Sequence, residues 1–117
     1  MKVTDLRLGN LVRIAGSHYK VLMLGERKDL IKLESVGIVA FKSVKPIPLN
    51  EEWLLKFGFK REGLLTMGLD KFTCCCEEDY IDNFCLGDID LYDVVPKYVH
   101  QLQNLYFALT GEELTIK

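Results

Sequence analysis

The sequence predicts an α+β fold: a small SH3-like, curled antiparallel β lobe at the N-terminal end, a short helix, a β-meander and a C-terminal helix. Three observations predict it. Short β-rich runs separated by polar breaks three to five residues long fill the region up to Lys42. A full set of helix start and stop signals lies between Leu49 and Gly58. Apolar residues recur at helical spacing from Tyr98 to Leu109.

In chain order, Leu11–Ala15, Tyr19–Leu24, Leu30–Glu34 and Ile38–Lys42 read as strands, because β-branched and aromatic residues alternate or run together in each. Gly16-Ser17-His18, the polar Gly25–Asp29 segment and Ser35-Val36-Gly37 separate them. So many short strands in so little chain favour a curled sheet or SH3-like barrel over a wide flat one. Pro46-Ile47-Pro48 closes this lobe as a sheet edge or extended connector, since proline has no N–H to offer a ladder. Asn50 is placed as an N-cap, Glu51 and Glu52 suit the positive end of the helix dipole, and Leu49 and Leu54 occupy the two positions of a hydrophobic staple. Gly58 supplies the left-handed residue that stops the helix, which is expected over Glu51–Phe57 with Trp53, Leu54 and Phe57 buried. A meander follows: Phe59–Arg61, Leu64–Met67, Lys71–Cys76, Tyr80–Leu86 and Ile89–Tyr92, with turns at Gly63, Gly68 and Gly87-Asp88. Pro96 breaks the chain, a helix is expected over Tyr98–Leu109 on the stripe Val99, Leu102, Leu105, Tyr106 and Leu109, and Gly111 ends it. Glu112–Lys117 is a terminal strand or tail. The organisation is one domain over residues 1–117, with lobes at 1–48 and 49–117.

With 49% hydrophobic and 27% charged residues, the 117-residue chain has the composition of a globular domain. Disordered, collagen-like, coiled-coil and membrane-spanning classes are excluded, the last because no apolar run approaches ~20 residues. Lys2, Asp5 and Arg7 interrupt the first ten residues before an apolar core of a leader can form, so a cytoplasmic, reduced protein is expected. The net charge of −2 conceals an asymmetry. Residues 1–61 hold twelve Lys and Arg against six Asp and Glu, whereas residues 62–117 hold three against eleven. Seven of those acids lie between Glu77 and Asp93 with no base among them. Such a split means either a dipolar molecule or a basic surface meant for an acidic partner.

Cys74, Cys75 and Cys76 are consecutive and Cys85 follows nearby. On a strand, Cys74 and Cys76 share a face and Cys75 takes the other. There is no C-x-x-C pair, and His18 and His100 are remote in sequence, so no zinc set is encoded and no metal or cofactor is expected. Free cysteines of this kind fill cores. A nucleophilic role would need a base, and Glu77-Glu78-Asp79 would raise a thiol pKa instead. Asp88-x-Asp90-x-x-Asp93 clusters oxygen ligands but lacks the glycine and terminal Glu of an EF-hand loop, so solvated strand-end charge explains it. Phosphate-loop, dinucleotide, nucleophile-elbow and zincin motifs are missing.

Two surfaces remain. The first lobe offers Arg7, Arg13, Lys20, Arg27, Lys28, Lys32, Lys42 and Lys45, with Tyr19 and Phe41 as its aromatics. Arg13, Lys20, Arg27, Lys28 and Lys32 are the candidates for nucleic-acid contact. The last helix carries no charge from Tyr98 to Gly111, and its second face bears His100, Gln101, Gln103, Asn104 and Phe107. Solvated helix faces carry Glu and Lys, whereas neutral amides beside an aromatic suit a contact surface. That surface is either covered by the chain itself or docked on a subunit or partner protein.

Asp5-Leu6-Arg7-Leu8-Gly9-Asn10-Leu11-Val12, the segment PIPLNEEWLLKFGF from Pro46 to Phe59, and YVHQLQNLYFALTGEEL from Tyr98 to Leu114 carry a resemblance. The chain resembles a family of short uncharacterised proteins carried by phages and mobile elements of gut bacteria. The resemblance implies provenance and no activity. The functional expectation is a non-catalytic protein-interaction or adaptor module acting through a protein partner or self-association. The alternative is a nucleic-acid binder using the basic β lobe, and a cysteine-dependent enzyme is a third class.

Overall fold

The computed structural model describes residue 2 and residues 5–24, 29–77, 80–91 and 94–117. It is an α+β structure with two antiparallel sheets of four and five strands and two α-helices. The chain divides into two compact units: Met1–Pro48 with Tyr98–Asn104, and Leu49–Lys97 with Leu105–Lys117.

In the first unit, β1 (Leu11–Ile14), β2 (Ser17–Leu24), β3 (Leu30–Leu33) and β4 (Gly37–Ala40) pair in sequence order. The β1–β2 connection is tighter than the expected Gly16-Ser17-His18 break. Ile14 pairs with Ser17 across a two-residue turn, Ala15-Gly16, with φ of 47° and 89°. Two positive φ values match the right-handed twist of a hairpin, so Ser17 and His18 extend the ladder instead of capping it. A bulge between Val21 and Met23 adds local twist to β2. Leu6, Val12, Val21, Ile31, Leu33 and Val44 form the buried core, with Ile14, Tyr19, Leu24, Val39 and Phe41 packed against it.

Of the curled sheet or SH3-like barrel expected for this lobe, no closed barrel forms among the described residues: the strands pair in the order β1-β2-β3-β4. β4 was expected to run to Lys42, but it stops at Ala40 and the chain enters a 3-10 turn over Phe41–Ser43. The chain then returns to β1 through one antiparallel bridge, Arg13 to Lys45. Further on, Pro48 bridges Tyr98, and the Ile47 carbonyl accepts from the Val99 N–H at 2.8 Å.

The second unit opens with α1 (Glu51–Lys56). Asn50 Oδ1 accepts from the Trp53 N–H at 3.0 Å, which makes Asn50 the N-cap. At the other end the Gly58 N–H reaches Leu55 O and the Phe59 N–H reaches Leu54 O, each at 3.0 Å, with Gly58 at φ 96°. These two bonds are a Schellman motif, and they make Phe57 the cap and not a helical residue. Trp53, Leu54 and Phe57 are buried as expected.

β5 (Lys60–Arg61), β6 (Thr66–Leu69), β7 (Phe72–Glu77), β8 (Tyr80–Leu86) and β9 (Ile89–Asp90) form the meander, again in sequence order. The second strand lies further along than Leu64–Met67: Leu64 is 89% exposed, and Met67 is the residue that enters the core. Gly68 therefore belongs to a strand, and the turn after it uses Asp70 at φ 54°. β9 covers Ile89–Asp90; Tyr92, expected as its end, lies outside the described residues. Phe72 is the hub of the core, with ring centroids 6.1 Å from Phe59, 5.6 Å from Phe84 and 5.7 Å from Tyr106. Residues 112–117 form no strand, yet Leu114 is buried and the Lys117 N–H donates to Lys56 O at 2.8 Å.

The last helix, α2, spans Val99–Thr110. Gln101 at its third position reaches back, its Oε1 accepting from the Tyr98 N–H at 3.2 Å, half of a capping box. Gly111 at φ 75° donates to Phe107 O and closes the helix.

Candidate functional site

Register decides which side chains of the first sheet meet water. In β1 and β2, Val12 and Tyr19 face each other on the core side, so their neighbours Arg13 and His18 pair on the outer side. Lys20 lies two residues beyond His18 and is likewise exposed. The Val21–Met23 bulge keeps Met23 on that outer side, opposite Lys32, and Lys32 in turn faces Ile38 of β4. Lys45 joins the row through its bridge to Arg13. The outer face thus brings together Lys45, Arg13, His18, Lys20 and Lys32. No strand position of this sheet holds an Asp or Glu among the described residues.

This face is built against its own electrostatics. Arg13 and Lys45 exchange both backbone hydrogen bonds, Arg13 N to Lys45 O at 3.0 Å and the reverse at 2.9 Å, which holds their side chains side by side. Like charges directly opposite across a ladder destabilise by a few tenths to about 1 kcal/mol. The Arg13 guanidinium is also oriented, its Nε donating to Pro46 O at 3.1 Å. A fold gains nothing by itself from two cations in adjacent positions, one of them oriented; an anion above them would stabilise the pair.

Of the five nucleic-acid candidates read from the sequence, Arg13, Lys20 and Lys32 come together on this face, whereas Arg27 and Lys28 lie outside the described residues. Lys45 and His18 were not singled out, because a lone bridge and a two-residue turn leave no periodic trace. Arg7 belongs elsewhere: its Nε donates to Asn104 Oδ1 at 3.0 Å and its Nη2 to Gln103 O at 3.4 Å.

That second cluster accounts for the uncharged face of α2. Gln103 Oε1 accepts from the Leu11 N–H at 2.9 Å, and Gln103 Nε2 donates to Gly9 O at 3.4 Å. Asn104 Oδ1 also accepts from Asn10 Nδ2 at 2.9 Å, while Asn104 Nδ2 donates to Asp5 O at 2.9 Å. Asn10 Oδ1 takes the Arg7 N–H at 2.7 Å. Asn10, His100 and Gln103 are all buried. Of the two alternatives for this face, the one realised at Gln103 and Asn104 is cover by the chain itself, through residues 5–11. Gln101 is exposed and Phe107 is 39% exposed. His100 lies stacked on Tyr98 with ring centroids 6.0 Å apart. Its Nδ1 is buried without a hydrogen-bond partner among the described residues, and burial lowers its pKa against a smaller opposing pull from Asp5.

The cysteines follow the strand alternation: Cys74 and Cys76 are buried, Cys75 and Cys85 are partly exposed, and all four are free thiols. Burial foremost, then the neighbouring thiols, push the Cys74 pKa up to about 12. Cys85 is raised as well, by desolvation and then by Asp90. Asn83, in the left-handed conformation at φ 51°, touches both outer sulfurs: its Nδ2 donates to Cys75 Sγ at 3.9 Å, and its carbonyl accepts from Cys85 Sγ at 3.7 Å. The second contact, in which the Cys85 S–H donates, favours the thiol form of Cys85. Among the described residues no group of three His, Cys, Asp or Glu is placed to hold a metal ion, and Asp93 of the acidic triplet lies outside them. No helix of the described residues is long and apolar enough to cross a membrane.

Compared with known protein families, curated proteins and solved structures, the chain matches none.

Proposed function

We propose that the protein is a non-catalytic nucleic-acid-binding module that uses the outer face of its N-terminal sheet. The observation that carries this reading is the face holding Lys45, Arg13, Lys20 and Lys32, where the described strand positions bear no acid and Glu34, just past β3 beside Lys20, is the neighbouring carboxylate, with two of those cations held side by side across a backbone bridge. Phosphates relieve that repulsion and supply the affinity, through release of their condensed counterions. The adaptor reading rested on the amides of α2, and Gln103 and Asn104 are already engaged with residues 5–11. Burial holds the Cys74 thiol protonated, which speaks against it as a nucleophile.

Fluorescence anisotropy on a labelled duplex tests the proposal. Four phosphate contacts predict that log affinity falls against log salt with a slope of roughly −3 to −4. Lys45→Gln keeps the aliphatic stem and removes one charge, so the slope should shrink by about 1 whatever the oligonucleotide sequence. The same substitution relieves the pair with Arg13, so its melting temperature should hold or rise. Absence of binding at low ionic strength overturns the reading.

A further inference from the structure

The basic face is not purely basic. Met23 and Ile38 flank Lys32 in one row across three strands, Met23 opposite Lys32 and Lys32 opposite Ile38. Their exposures of 56% and 70% leave both tips in water. Fold stability does not account for two bare aliphatic side chains framing a lysine. The face also lacks something: Tyr19 pairs with Val12 on the core side, and Phe41 packs against the same core. Tyr19 and Phe41 are therefore not offered for an unpaired base to stack on, which leaves the His18 imidazole as the one ring among the described strand positions of the face.

From this arrangement we infer that the ligand is duplex DNA held by its minor groove, with Met23 and Ile38 entering between base pairs as wedges. The inference rests on the nucleic-acid reading and makes it specific. A field of cations spread over three neighbouring strands and a returning segment meets the two phosphate rows of a duplex; a single strand would need a groove. Apolar wedges set among cations are how sheet-based and architectural proteins hold a minor groove, unstacking a base step and kinking the helix by roughly 20–90°. Two interstrand spacings separate Met23 from Ile38, about 10 Å. That distance covers about three base steps at ~3.4 Å each, so the two side chains enter different steps with Lys32 between them at the groove. The face carries no side-chain amide among its described strand positions to read an adenine edge, so preference follows deformability, with TA and CA/TG steps favoured.

The test measures the bend of a 30-base-pair duplex labelled at both ends, by energy transfer, alongside anisotropy for affinity. The full chain should shorten the end-to-end distance. The double variant Met23→Thr, Ile38→Thr keeps strand-forming residues at exposed positions. It should bind about tenfold more weakly, retain the wild-type salt slope and leave the duplex straight. A melting curve matching wild type separates this outcome from misfolding. A duplex that stays straight with wild-type protein, or a variant that bends it equally, overturns the wedge and leaves the basic-face reading standing. Tighter binding to a single strand of equal length overturns the duplex assignment. Failure to bind any oligonucleotide at low salt, or equal affinity for polyglutamate, removes the nucleic-acid reading itself.

Discussion

Two buried polar residues of the first unit set measurable terms in stability. Asn10 is fully buried and serves the Arg7 N–H and the Asn104 amide oxygen at once. Asn10→Ala leaves the Arg7 donor without its acceptor, so stability should fall by about 1–3 kcal/mol, read as a lower urea midpoint with unchanged slope. A loss below a few tenths would show that water replaces the amide. His100 acts through pH. Its pKa is lowered on folding, so below the ordinary imidazole value of about 6.5 the unfolded chain takes up a proton that the folded chain resists. Stability is therefore fully present above that value and declines as pH falls past it. Of the groups near the ring, the Asp5 carboxylate favours the proton and moderates the decline, while its burial drives it. Unfolding free energies at pH 7.5 and 5.5 should differ in that direction, and His100→Gln should flatten the difference; equal values for the wild-type protein would contradict it.

At the scale of elements, α1 shows how a short helix holds when both ends are satisfied. A helix of one and a half turns has little intrinsic stability, so its caps and buried face decide. Asn50→Ala removes the bond to the Trp53 N–H, and about 1 kcal/mol should go with it, visible as a lower thermal midpoint. This element was legible because every signal in it is local: cap, acids, staple and stop glycine lie within ten positions of one another. The meander was legible in order but not in register. Leu64 and Leu65 read as strand yet stand exposed, and a turn was assigned to Gly68 when Asp70 adopts the left-handed conformation. Nothing local distinguishes an apolar pair that packs from one that does not. The Arg13–Lys45 bridge escaped for a related reason: it joins residues far apart in sequence by backbone bonds that any residue type can make.

For the molecule as a whole, charge is partitioned by unit. Residues 1–48 with 98–104 carry nine Lys and Arg against four Asp and Glu, a net of +5; the other unit carries six against thirteen, a net of −7. These add to the overall −2, which by itself would class the protein as a poor ligand for polyanions. Screening makes the local figure the relevant one, since fields fade over about 8 Å at physiological ionic strength, and the cations of the sheet lie on strands ~4.8 Å apart. The uncharged helix was read from sequence as a sign of a dry contact, and the contact exists; what covers it was not legible, because Arg7 and Asn104 are 97 positions apart. That separation has a consequence during synthesis. Residues 1–48 leave the ribosome well before residues 98–104, and at roughly 5–20 residues per second the wait is on the order of several seconds. Throughout it the Leu11 and Gly9 backbone groups lack the Gln103 amide that later satisfies them. The nascent N-terminal sheet is thus an unfinished object in the cell, and a transcript cut short before its final helix would leave it that way for proteases to find.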